Sequence, residues 1–102
     1  MIDKETYDAY EPLARVLTKA YMQAASGKGK ERHANGKPFM TQPIMEIGRM
    51  VGPGYQTGQA MKKAQEAMGM LERGEDARAI AELLGAINYL AAAVILTEEK
   101  SA

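Results

Sequence analysis

Cysteine and tryptophan are absent from this chain, and histidine and phenylalanine occur once each. Without cysteine there is no disulfide and no thiolate metal site, which fits a reducing cytosol. One histidine, His33, cannot supply the converging ligands that a metal hydrolase of the His/Asp type needs. Nucleophilic catalysis has as little to work with, because Ser26 and Ser101 are the only serines and neither sits in a strand–turn–helix elbow. The acids Glu72, Glu75, Asp76, Glu98 and Glu99 fall at helix ends, where they cap and solubilise. No catalytic residue, metal or cofactor is expected. Asp3, Glu5, Asp8 and Glu11 interrupt any basic-then-apolar leader. There is no alternating strand pattern, internal repeat or low-complexity tract. The expected localisation is cytoplasmic.

What is present is helical. The 102 residues, with 46% hydrophobic and 25% charged side chains, suit one domain, 1–102, with a small core of Leu, Ile, Val, Met and Ala. Such a core is short of large apolar side chains, which favours self-association. The fold class expected is all-α, a bundle of four to five helices. Asp3 caps a short first segment containing Tyr7 and Tyr10, and Pro12 restarts the helix in its first turn. Leu13, Val16, Leu17, Ala20, Tyr21 and Ala24 then form one apolar stripe, ended by Ser26 and Gly27. After a loop over 27–40, Thr41 or Gln42 caps a short helix with Pro43 in its first turn. Ile44, Ile47 and Val51 are its expected buried face, and Gly52-Pro53-Gly54 stops it.

A third helix is predicted over 56–73. Its expected inner face is Ala60, Met61, Ala64, Ala67, Met68 and Leu71; Lys62, Lys63, Glu66 and Glu72 lie outside. Gly58 and Gly69 each cost roughly 1 kcal/mol of helix propensity against alanine. Gly74 suits a C′ position and Asp76 an N-cap, so a tight antiparallel turn leads into the last helix, 77–98. Ile80, Leu83, Leu84, Ile87, Leu90, Ala91 and Val94 form its seam. From Leu83 to Leu96 only Asn88 breaks the apolar run once glycine and tyrosine are included. That run is too short for a membrane span, which takes about 20 residues. A helix apolar all round is expected to be buried all round. It reads both as the central helix of the bundle and as a subunit interface carried by Leu83, Ile87, Asn88, Leu90 and Val94. Asn88 fixes helix register or reaches into a ligand pocket.

The piece that does not read as helix is Gly27 to Phe39, with three glycines, four cations and the single histidine and phenylalanine. Net charge is zero, yet between Lys28 and Lys63 seven cations oppose only Glu31 and Glu46. A locally basic loop in a neutral protein fits a small anion better than a nucleic-acid stripe. Lys28, Lys30, Arg32 and Lys37 are the candidates for phosphate; His33 and Asn35 make directional contacts. Phe39 and Tyr55 are the candidate stacking partners, with Tyr89 a further possibility. The Walker spacing is absent.

The pattern from Glu31-Arg32-His33-Ala34-Asn35-Gly36 through Pro38-Phe39 to Gln42-Pro43-Ile44, then Leu84-Gly85-Ala86-Ile87-Asn88-Tyr89-Leu90, resembles small phage-encoded helical proteins. It is also similar to the N-terminal helical domain of phage dATP/dGTP diphosphohydrolases, over roughly residues 28–96. That domain's Lys-Tyr-Gly and Asn-Trp elements are missing, so its activity is not carried over. The chain is similar in kind to phage anti-CBASS and anti-Thoeris sponges, small helical oligomers that sequester nucleotide signals. The resemblance implies a homo-oligomer, without membrane or DNA partners, that binds a nucleotide or cyclic oligonucleotide in the host cytosol. A protein-binding inhibitor and a small nucleotide hydrolase stand as alternatives.

Overall fold

The structure, a computed structural model, describes residues 1–26 and 36–101. These hold five α-helices and no strand: α1 (Lys4–Ala9), α2 (Glu11–Ala25), α3 (Pro43–Val51), α4 (Gly54–Glu72) and α5 (Asp76–Ser101). The protein is therefore all-α. Local chemistry starts and stops these helices largely where expected. The Asp3 carboxylate accepts from the Thr6 amide at 2.7 Å to cap α1, and Pro12 lies in the first turn of α2. Gln42 holds the N-cap position of α3, but its side chain does not cap; it turns back to donate to the Lys37 carbonyl. Within the expected loop, Phe39–Thr41 form a 3-10 turn. Residues 27–35 of that loop lie outside the described residues.

Gly74 makes the antiparallel turn between α4 and α5. Its φ of 75° is left-handed, its N–H reaches the Leu71 carbonyl, and the Glu75 N–H reaches that of Met70 at 2.8 Å. That pair of bonds satisfies the last carbonyls of α4. Glu75 is then held between Arg73 and Arg78, and the Arg73 hydrogen bond keeps its carboxyl below the usual range.

The α4–α5 hairpin is the largest packing unit; α2 leans on α5, α3 packs on both, and α1 packs on α2. The core of this assembly differs from the sequence expectation. Among the described residues the buried apolar side chains are Ala20, Ala60, Ala67, Ala79, Ala86 and Ala92, with Met45, Met70 and Leu96. On α4 the inward line is Gln56, Ala60, Ala67 and Met70, whereas Met61, Met68 and Leu71, expected inside, are exposed. On α3 Met45 and Gly48 are buried and Val51 is exposed. On α2 Leu13, Leu17 and Tyr21 are exposed around a buried Ala20. On α5 Ile80, Leu83, Leu90 and Val94 are exposed, so this helix is not buried all round. Only 28% of its most apolar window is buried within the chain. By length and composition α5, which extends beyond the apolar run from Leu83 to Leu96, is also sufficient to cross a membrane.

One physical choice explains these differences. Two helices approach closely when the residues between them are small, so alanine lines the contact and the bulky side chains are turned outward. The close contact comes at low hydrophobic gain, since burying one methyl or methylene is worth about 0.8 kcal/mol and a whole Leu or Met about 1.5–3 kcal/mol.

The α3–α4 corner is tight for a different reason. Gln56 is fully buried; its Nε2 donates to the Ile44 carbonyl at 3.0 Å and its Oε1 has no partner among the described residues. The amide lies against Gly48, where an added methyl would stand 2.6 Å from Gln56 Cδ. Gly48→Ala is expected to destabilise the protein by about 1–3 kcal/mol, the usual cost of overpacking. Denaturant titration checks this: the midpoint should fall while the slope stays constant.

Candidate functional site

A cleft of 540 Å³ opens where α2, the 3-10 turn and the starts of α3 and α4 meet the middle of α5. Its aromatic wall comes from Tyr55 at the start of α4 and Tyr89 on α5, edge to face with centroids 6.0 Å apart and planes at 79°. Phe39 closes it from the 3-10 turn. The antiparallel turn at Gly74 brings Lys63 opposite Glu82, Gly85 and Tyr89. The lysine's stem crosses α5 at Gly85, which has no side chain to obstruct it. Its Nζ lies 3.5 Å from Glu82 Oε2 and 5.9 Å from the Tyr89 ring centre. The charge of Lys63 is thus compensated at the site.

Three amides complete the lining, and each spends an N–H on a backbone carbonyl. Gln23 donates to Ala81 at 3.0 Å, Gln42 to Lys37 at 3.0 Å and Asn88 to Ala20 at 2.9 Å. Asn88 therefore works within the chain, fixing α2 on α5, and also lines the cleft. A neighbouring cleft of 470 Å³ shares Ala24, Phe39, Gln42 and Asn88 with the first and adds Tyr21, Ala25, Lys37 and Ile95. Below it, Arg49 of α3 chelates Glu99 of α5 (Nη2–Oε1 2.7 Å, Nε–Oε2 3.0 Å) and donates to the Met40 carbonyl at 2.8 Å. The Arg49 hydrogen bonds hold the Glu99 carboxyl below its ordinary range. Glu99, expected only to solubilise a helix end, ties α5 to Arg49 of α3, which in turn reaches the 3-10 turn.

Of the residues singled out from sequence, Phe39 and Tyr55 meet in the main cleft and Lys37 lies at the adjoining one. Lys28, Lys30, Arg32, His33 and Asn35 lie outside the described residues. The expected interface residues Leu83, Leu90 and Val94 are exposed and Ile87 is half-buried. Lys63, Glu82, Gln23 and Gln42 were not anticipated. The signal for the first two was available: pairing residues at equal distances from the Gly74 turn sets Lys63 opposite Gly85, with Glu82 and Tyr89 about one helical turn to either side.

The arrangement is suited to a flat, uncharged ring held between aromatic edges and amides. Among the described residues no three His, Asp or Glu side chains converge on a point that could hold a metal ion. Comparison with protein-family models, with curated proteins and with solved structures gives no match.

Burial, and then the neighbouring Tyr55 phenol, push the Tyr89 hydroxyl up to about 12 from an ordinary value of 10.0. A pKa raised on folding contributes stability that is complete below the unfolded value and is lost as pH climbs through the folded one. Stability should therefore decline between pH 10 and about 12. In a titration followed at 295 nm, one of the five tyrosines should ionise late. Tyr89→Phe should remove the late step and flatten the alkaline loss.

Proposed function

We propose that this protein binds a small phosphorylated ligand, a nucleotide or a cyclic oligonucleotide, and holds it without cleaving it. The base enters the cleft between Tyr55, Tyr89 and Phe39, where the amides of Gln23, Gln42 and Asn88 offer hydrogen bonds to its edge. Its phosphates meet Lys37 and the cations Lys28, Lys30 and Arg32, with His33 and Asn35 making directional contacts. One observation carries this reading: Ala25 and Lys37, which flank the cationic segment, both line the cleft that adjoins the aromatic one. The candidate stacking partners and Lys37 thereby fall at neighbouring places. The neutral Lys63–Glu82 pair is consistent with a division in which the cleft takes the ring and the segment takes the charge. Sequestration of a nucleotide signal, as by a phage anti-defence sponge, is the biological role this binding would serve.

Calorimetry against a panel of mononucleotides and cyclic dinucleotides tests the proposal. Binding should weaken between 0.05 and 0.5 M salt, because the Debye length contracts from about 10 Å at 0.1 M. Tyr55→Ala should cost about 1–3 kcal/mol of binding, the usual worth of a base–aromatic stack. Lys30→Ala, Arg32→Ala and His33→Ala should weaken binding yet leave folding stability within about 0.5 kcal/mol. Heat release and chromatography should return the ligand intact. A cleaved product would make the protein a hydrolase, and no binding across the panel would favour an inhibitor directed at another protein.

A further inference from the structure

We propose that two copies of this chain pair through the flank of the α4–α5 hairpin that faces away from α2, forming a four-helix arrangement. The inference is independent of the ligand. On α5, Ile80, Leu83, Ile87, Leu90 and Val94 follow one another at intervals of three and four residues. This is a heptad seam with β-branched side chains at one position and leucine at the other, an apolar stripe of the kind that packs against a facing helix. Apart from half-buried Ile87, every member is exposed in the single chain, Val94 at 58%.

The seam's position on the helix is fixed by what lies opposite. Ala81 and Asn88 face α2 through their hydrogen bonds to Gln23 and Ala20, and the seam lies on the other flank. On α4, Lys63 and Tyr55 point into the cleft on the α2 side, while Met61, Met68 and Leu71 are exposed round the helix from them. Since α4 and α5 are antiparallel, these methionines and leucine extend the seam across the same face of the hairpin.

The size of the face suits a second copy. Seven of these eight side chains are at least 40% exposed, an apolar face of the order of the ~800 Å² that one partner contributes to a standard interface. Lipid would be a poorer occupant. Placing α5 in a bilayer would detach it from α2 and α4 and strip the Lys63–Glu82, Asn88–Ala20 and Gln23–Ala81 contacts. A face shared by two identical hairpins leaves those contacts in place, and self-complementary apolar seams of this kind close by two-fold symmetry.

Two measurements on the full chain test the pairing. Sedimentation equilibrium at about 100 µM should give twice the chain mass of 11.1 kDa. In peroxide oxidation read by mass spectrometry, Met61 and Met68 should react several-fold more slowly than Met50, although all three are exposed in the single chain. Leu90→Lys should return the mass to one chain and bring Met61 and Met68 up to the rate of Met50. The wild-type oxidation pattern decides the matter even if that variant fails to fold. A single-chain mass would overturn the proposal, as would a dimer whose Met61 and Met68 oxidise as fast as Met50. Recovery of the protein only with membranes, until detergent is added, would assign the face to lipid.

Discussion

Where α4 meets α5, Ala67, Ala79 and Met70 form a buried cluster, and Ala60 on α4 and Ala86 on α5 are buried as well. Small side chains let the two helices approach closely, and the rest of the structure adjusts to that approach. Bulky residues are displaced to the outer flanks, so the apolar gain from the hairpin alone is modest. What the single chain lacks in buried leucine and isoleucine it carries on its surface as a continuous face. The proposed pairing of two chains would cover that face.

The same economy of large side chains leaves the cleft open. Besides the apolar cluster of Met45, Ala92 and Leu96, directed polar contacts hold the elements together: Asn88 and Gln23 bind backbone carbonyls across the α2–α5 contact, Gln56 ties α4 to Ile44, and Arg49 chelates Glu99. Such contacts fix position without filling volume. Between α2 and α5 a space therefore remains, lined by Tyr55, Tyr89 and Phe39 and bordered by amides already oriented through their backbone bonds. Binding at such a site needs little rearrangement of its walls, which is the usual advantage of a pre-formed pocket.

The helix boundaries were legible in the sequence because they depend on single residues with local physics. Asp3, Pro12, Gly52-Pro53-Gly54 and Gly74 each act where periodicity and turn chemistry predict. The faces were less legible. Assigning Met61, Met68, Leu71, Val51 and the Ile80–Val94 line to the inside assumes that the largest apolar residues are the buried ones. Here close alanine contacts reverse that order, and hydrophobic periodicity alone cannot tell a core stripe from an interface stripe. Of the site, Phe39, Tyr55 and the second role of Asn88 were visible. Lys63 was read as a solvated charge because its partner Glu82 is close only once the hairpin folds.

If covering the α4–α5 face supplies a substantial part of the stability, folding and association are linked by mass action. The most direct test is the thermal midpoint measured over a hundred-fold range of protein concentration. A two-chain equilibrium gains about 2.7 kcal/mol over that range. For a unit of this combined size, that gain moves the midpoint by about 5–10 °C, with the higher value at the higher concentration. A midpoint that stays constant across the range would show that the alanine-lined chain is stable alone, and would contradict the account.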